Sequence, residues 1–240
     1  MNLPLSETFT SVQGEGKLAG VPSWFVRFSG CNLRCTWCDT PYASWSPEVT
    51  TLRLDDVLAE ARGNLERNVR HAVVTGGEPM MFDAVEPLCR GLREMGMHVT
   101  IETAGTIARR PDALACDLMS ISPKLSNSTP RDGDQRDPGG VWKSRHEERR
   151  LNIEALQHLI NDFPSRQLKF VVSEPEQLDE IEALLAKLQS WTNDDVLLMP
   201  EGISVETLAS RRWLVDACTS RGWRFCPRLH IQLFGNKRGT

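Results

Sequence analysis

Short apolar-rich runs alternate along the chain with stretches whose apolar residues recur at helical spacing. The short runs predict strands: WFVRF at 24–28, HAVVT at 71–75, HVTIET at 98–103, DLMSIS at 117–122, LKFVVS at 168–173, DVLLMP at 195–200 and RFCPRLH at 224–230. Between them LDDVLAEARGNLE, DAVEPLCRGLREMG, PEQLDEIEALLAKLQ and SVETLASRRWLVDACTSRG predict amphipathic helices, with Asp83 and Ser204 as N-caps and Gly96 and Gly222 past the ends. This alternation is the pattern of βα units around a parallel sheet. About six such repeats are too few for an eight-stranded barrel, so the expected fold is α/β, a partial, open βα barrel in one domain spanning 1–240. The one break is SNSTPRDGDQRDPGGVWKSRHEERR, residues 126–150, rich in Gly, Pro and charge. It is expected to be an exposed loop insertion, because the strand and helix rhythm resumes after it.

Barrels of this kind carry their chemistry on the loops after the C-terminal ends of the strands. Polar groups stand at those points: Arg27, TGGEP at 75–79, Glu102 with Thr103, SPK at 122–124, Ser173 with Glu174, Glu201, and His230 with Gln232. Each alone reads as a turn that ends a strand; together they point to one functional face.

Composition narrows the partners. The 240 residues are 40% apolar and 25% charged, with a net charge of -4 and a pI near 5.8, which gives no basic surface for nucleic acid. No apolar run of about 18 residues is present to cross a bilayer, and MNLPLSETFT lacks the features of a signal peptide. A cytoplasmic protein is expected. Its seven cysteines should then be reduced, and an odd number argues against a disulfide framework. Cys89, Cys116, Cys218 and Cys226 stand singly among apolar neighbours and read as core residues.

Cys31, Cys35 and Cys38 do not fit that description, because FSGCNLRCTWCDT packs three thiols into eight positions. Thiolates are the ligands of iron-sulfur clusters, and a [4Fe-4S] cluster held by three of them keeps one iron open. A zinc site completed by a distant Cys or His is the other reading the residues allow.

The C-x3-C-x2-C spacing, with Trp37 just before the last cysteine, resembles the signature of the radical S-adenosylmethionine (radical SAM) enzymes. The segment TFTSVQGEGKLAGVPSWFVRFSGCNLRCTWCDT is similar to the start of the 7-carboxy-7-deazaguanine synthases within that superfamily, and TGGEP, IETAGT, SPK and His230 continue the likeness in the same order. It covers most of the chain and is weakest over 126–165 and at LFGNKRGT.

The resemblance implies a barrel of the radical SAM type with the cysteine loop after its first strand, and a [4Fe-4S] cluster on Cys31, Cys35 and Cys38. S-adenosylmethionine would contact Trp37, Cys38, Asp39, Gly76, Gly77, Glu78, Ser122, Pro123, Lys124 and Ser173. The implied reaction converts 6-carboxy-5,6,7,8-tetrahydropterin to 7-carboxy-7-deazaguanine with loss of ammonia, for queuosine and other deazapurines. It is started by a radical made from S-adenosylmethionine, which is regenerated. Val12, Gln13, Gly14, Glu15, Arg27, Thr75 and His230 would bind the pterin, with Arg27, Gln13 and Glu15 as the catalytic candidates. The residues agree with these roles: an Arg fork suits a carboxylate, and Glu15 suits guanidine-type N–H groups. Thr40 is the implied Mg2+ ligand, and an oxygen ligand suits that ion. Read without the resemblance, Thr40 ends a loop, VQGEG and GGEP are turns, and Lys124 is a surface lysine. A flavodoxin- or ferredoxin-type electron donor and a homodimer are implied as partners, with no nucleic acid or membrane. A glycyl-radical-enzyme activase and a non-enzymatic zinc- or cluster-binding module are the alternative functions.

Overall fold

The computed structural model describes residues 1–240. Nine strands form one sheet: β1 (Asn2–Val12), β2 (Pro22–Phe28), β3 (Thr50–Arg53), β4 (His71–Gly76), β5 (His98–Thr103), β6 (Leu118–Ile121), β7 (Arg166–Val172), β8 (Val196–Pro200) and β9 (Arg224–Phe225), in the order β3-β1-β2-β4-β5-β6-β7-β8-β9. Every pair from β2 to β9 is parallel, whereas β1 runs antiparallel to both β2 and β3. The terminal strands β3 and β9 do not meet, so the barrel is open. The helices are α1 (Leu54–Glu66), α2 (Val85–Glu94), α3 (Val141–Arg149), α4 (Ile153–Asp162), α5 (Gln177–Leu185), α6 (Val205–Ser210), α7 (Leu214–Arg221) and α8 (Leu229–Phe234). None is long and apolar enough to cross a membrane.

Two-residue periodicity explains why this sheet has a dry face and a wet one. Val26, Phe28, Ala72, Val74, Val99, Ile101, Leu168, Phe170 and Val172 point outward into the main apolar core beneath the helices. Their neighbours in sequence, Arg27, Thr75, Glu102 and Lys169, turn inward to line a cavity. Val171, Leu197, Met199 and Cys226 form a small separate apolar cluster on which Trp37 packs. Phe28 and Phe170 are fully buried, and truncating either to alanine is expected to cost about 3–5 kcal/mol.

Several expectations are corrected. The cysteine loop follows β2, the first strand of the parallel series and the second of the chain. Residues 141–149 form α3 rather than loop, because the buried Asp137 carboxylate accepts the backbone N–H groups of Trp142 and Lys143 and so caps the helix. The run at 224–230 is not one strand: only Arg224–Phe225 pairs with β8, and the chain turns into α8 at Leu229. The 204–222 stretch divides into α6 and α7 where the Arg211 side chain turns toward the carbonyls of Ser173 and Glu201. Ser204 caps α6 through the Thr207 N–H, and Gly222 ends α7 with φ of 67°. Asp83 does not cap α2; it accepts a bond from Arg109, and the helix starts at Val85.

Candidate active site

At the C-terminal ends of the parallel strands a cavity of about 450 Å³ opens, and Cys31, Cys35 and Cys38 stand in its wall. The loop that carries them is closed on itself by Gly30 N–H to the Ala43 carbonyl at 2.8 Å and Cys38 N–H to the Cys35 carbonyl at 3.2 Å. It is held from outside by the 126–150 segment. The Thr36 N–H donates to the Ser128 carbonyl at 2.8 Å, and the Arg34 N–H donates to His146 Nδ1 at 3.1 Å. The Trp45 indole donates to the Cys35 carbonyl at 2.9 Å, and the Arg136 guanidinium covers the Trp45 ring at 4.2 Å. The inserted segment is therefore the outer wall of the cysteine loop.

The donor set fits a cluster better than a single ion. No fourth cysteine lines the cavity. Burial pushes the Cys31 thiol up to about 12 and that of Cys35 higher still, so these sulfurs become thiolates when a cationic centre binds them. Trp37 lines the same cavity and its Nε1 is buried without a hydrogen-bond partner.

The TGGEP segment packs directly on this loop. A Cβ on Gly77 would stand 2.1 Å from the Gly30 carbonyl oxygen, so only glycine permits the approach. The Gly77 and Glu78 N–H groups donate to the carbonyls of Phe28 and Gly30 at 3.1 and 2.9 Å. Glu78 is fully buried, and its carboxylate accepts from the Thr103 hydroxyl at 2.8 Å and from the N–H groups of Ala104 and Met80 at 2.8 and 3.1 Å. Burial pushes its pKa up against these bonds. Its side chain is thus a brace between loops and does not line the cavity.

Glu15, in the loop between β1 and β2, also lines the cavity. Lys169 of β7 pairs with its Oε2, Arg228 with its Oε1 at 3.1 Å, and His230 lies 3.9 Å away. Burial alone would raise its pKa, but the Lys169, Arg228 and His230 charges outweigh that and hold the carboxyl well below the usual range. Arg228 also pairs with Asp39. The trio Glu15, Asp39 and His230, whose ligand atoms lie within 4.8 Å of one another, is therefore already neutralised by an arginine. Gly14 allows His230 to sit against the loop, since a Cβ there would meet the imidazole at 1.9 Å.

Arg27 lines the cavity as well, and its Nε donates to Glu7 Oε1 at 2.8 Å. Glu7 also accepts from the Tyr42 hydroxyl at 2.8 Å and from Arg238 at 2.9 Å. The two terminal nitrogens of Arg27 make no protein hydrogen bond and remain for an anion.

Of the residues expected at a site, Val12, Gln13, Gly14, Glu15, Arg27, Trp37, Asp39, Thr40, Thr75, Gly76, Gly77, Ser122, Lys124 and His230 join the cysteines around the cavity. The Gln13 amide is turned onto the Ser23 hydroxyl at 2.9 Å, and the Lys124 ammonium onto Ser122 Oγ at 2.7 Å. Pro123 and Ser173 lie outside it; the Ser173 N–H is held by Gln177 at 2.7 Å and its carbonyl by Arg211. Lys169, Arg228, Glu7 and Tyr42 went unforeseen. Lys169 carried a signal, as the one charged position inside the apolar run LKFVV. The others come together only through the fold.

The chain matches the family described as the Radical SAM superfamily over residues 25–188. It is 48% identical over 240 residues to the 7-carboxy-7-deazaguanine synthase of Rhodopirellula baltica, covering all of this chain and 89% of that protein. The synthase of the same name from Halobacterium salinarum is 44% identical, with 99% and 93% covered. Among solved structures, that of QueE from Escherichia coli superposes with a TM-score of 0.67 at 26% identity, covering 94% of this chain and 93% of that one.

Proposed function

Since the chain belongs to the radical SAM superfamily and, within it, to the 7-carboxy-7-deazaguanine synthases, we propose that its barrel cavity holds cofactor against the cysteine wall and pterin against the Glu15 wall. The enzyme converts 6-carboxy-5,6,7,8-tetrahydropterin to 7-carboxy-7-deazaguanine with loss of ammonia, a step of deazapurine biosynthesis. The observation that carries the site reading is one cavity lined by the three cysteines together with Arg27 and Glu15.

Cys31, Cys35 and Cys38 hold the [4Fe-4S] cluster. When bound, the cluster and S-adenosylmethionine supply one-electron cleavage chemistry that no side chain performs. Around them the Trp37–Asp39 segment, Gly76, Gly77, Ser122 and Lys124 receive the cofactor, with Trp37 Nε1 as a free donor. Arg27 holds the pterin carboxylate through its two open nitrogens, while Glu7 fixes the plane of the guanidinium. Glu15 accepts N–H groups of the pterin's amino-pyrimidinone edge with the lone pairs that Lys169 and Arg228 leave free. Gln13, Val12, Gly14, Thr75 and His230 complete that wall. Thr40 is the Mg2+ ligand: its side chain does not cap the turn at Pro41–Ala43, and the residue lines the cavity. Fixed groups around one cavity set the distance between cofactor and substrate.

We further infer that the chain functions as one domain, with 126–150 as a wall of its cluster site, and that it forms a homodimer. A flavodoxin- or ferredoxin-type protein supplies the electron, and the enzyme works in the reducing cytoplasm, in keeping with seven free cysteines. The decisive assay supplies anaerobically reconstituted protein with dithionite, S-adenosylmethionine and the carboxylated pterin. The expected outcome is 7-carboxy-7-deazaguanine together with about four irons per chain; stoichiometric zinc, or no deazapurine, overturns the reading.

A further inference from the structure

Glu15 and Asp39 approach from different segments, one from the β1–β2 loop and one from the position after Cys38, and a single guanidinium joins them. Arg228 lies between β9 and α8 with its side chain 5% exposed. Its Nε donates to Glu15 Oε1 at 3.1 Å, Nη1 to the Gly202 carbonyl at 2.6 Å, and Nη2 to Asp39. Three acceptors in three directions suit a planar fork with its donors on separate nitrogens better than an ammonium, whose three donors share one atom. Glu15 and Asp39 both line the cavity, whereas Arg228 does not. It therefore acts through its partners. Lys169 already neutralises the other Glu15 oxygen, so charge balance at Glu15 alone does not account for a second buried cation whose fork also reaches the cysteine loop.

We propose that Arg228 is a positioning residue that ties the pterin-binding carboxylate of Glu15 to the cysteine loop through Asp39, so that substrate and sulfonium cofactor are held in one relative placement. This rests on Glu15 being the acceptor for the pterin. The Gly202 carbonyl, in the loop after β8, anchors the guanidinium to the barrel frame, and the two ligand-facing carboxylates are thereby referred to the same fixed point. Hydrogen transfer between carbons needs reacting atoms about 3–3.5 Å apart, and a shift of about 1 Å costs about 100-fold in rate. An enzyme that has lost the bridge still binds both ligands and still splits its cofactor, but the split is less often followed by reaction of the pterin.

The test compares wild type with Arg228→Lys, Arg228→Met, Asp39→Asn and Glu15→Gln, all as cluster-loaded protein. Pterin affinity is read by calorimetry with S-adenosylmethionine present and no reductant; coupling is read after reduction as 5'-deoxyadenosine released per deazapurine formed. Arg228→Lys keeps a cation beside Glu15, so pterin affinity should stay within about threefold while the uncoupling ratio rises by at least about 10-fold. Arg228→Met should lose both. Asp39→Asn, which weakens the bridge at its exposed end by removing the charge while leaving a neutral acceptor, should raise the ratio in the same direction as Arg228→Lys and by less, and it serves where the methionine variant does not fold. A wild-type ratio in Arg228→Lys and Asp39→Asn overturns the bridge. Pterin affinity unchanged in Glu15→Gln overturns the reading of Glu15 beneath it, a separate result from a wild-type ratio in the bridge variants.

Discussion

His146 Nδ1 accepts the backbone N–H of Arg34, the residue immediately before Cys35, at 3.1 Å. The other ring nitrogen, Nε2, lies 2.8 Å from Ser128 Oγ, and that hydroxyl donates to the Leu125 carbonyl at 2.6 Å. The chain of donors is consistent only with a neutral imidazole protonated on Nε2. His146 is fully buried, so His146→Ala opens a hole and leaves the Arg34 N–H without a partner. The expected cost is about 2–4 kcal/mol, seen as a melting temperature lower by roughly 5–15 °C. Iron bound per chain after anaerobic reconstitution should fall as well, because the loop that presents Cys35 loses its outer support. A variant with wild-type iron content would show that the loop is held by Ser128 and Trp45 alone.

The same imidazole makes stability depend on pH. Burial, the largest cause, lowers its pKa from 6.5 to about 4 against the opposing charge of Glu147. Between those values the unfolded chain binds a proton that the native state refuses. Stability is therefore complete above pH 6.5 and declines as pH falls toward 4. The contribution is at most about 3 kcal/mol. Denaturant unfolding of metal-free protein at pH 7.5 and pH 5 should show wild type losing more stability than His146→Gln, whose side chain does not titrate. Equal losses in the two proteins would assign the acid sensitivity to other groups.

Arg27 and Glu7 give a second pair of variants. Arg27→Ala removes the fork proposed to hold the substrate carboxylate and should lower kcat/KM for the carboxylated pterin about 10- to 100-fold, while iron content is unchanged. Glu7→Gln keeps the guanidinium but loosens it, since the carboxylate that fixes Arg27 also receives Tyr42 and Arg238. A smaller loss, mainly in KM, is expected there. Steady-state kinetics at saturating S-adenosylmethionine separates the two, and Arg27→Ala turning over like wild type would exclude it from the site.

The parallel strands were legible because their runs are apolar on the outward face and punctuated by Gly, Pro and polar residues at the C-terminal end, as in HAVVTGGEP. The cysteine wall was legible because its three thiols lie within eight positions. The antiparallel β1 was not read as a strand: NLPLSETFTSV pairs with β2 and β3 at the edge of the sheet, and half-exposed alternation there lacks a continuous apolar run. Helix α3 was hidden for a related reason, since VWKSRHEER is charged on most sides and is held by Asp137 and by contacts over the cysteine loop rather than by its own apolar stripe. Arg228 fell inside a run read as strand, RFCPRLH. Only the turn at Pro227 and the entry into α8 bring it under Glu15.

Thr40 supplies the last prediction. Its hydroxyl lies 3.7 Å from Cys38 Sγ and is not spent on capping the turn that follows. A thiolate committed to a metal cluster is a poor acceptor to hold that hydroxyl, so the oxygen would be free for the hard cation proposed above. Thr40→Val is nearly the same shape and removes only the oxygen. It should keep cluster content and S-adenosylmethionine cleavage, yet need at least about 10-fold more Mg2+ for half-maximal deazapurine formation, a loss of about 1.4 kcal/mol. Thr40→Ser restores the oxygen and should restore the response. Turnover measured against Mg2+ concentration for the three proteins decides the matter: superimposable curves for valine and wild type would remove Thr40 as a ligand.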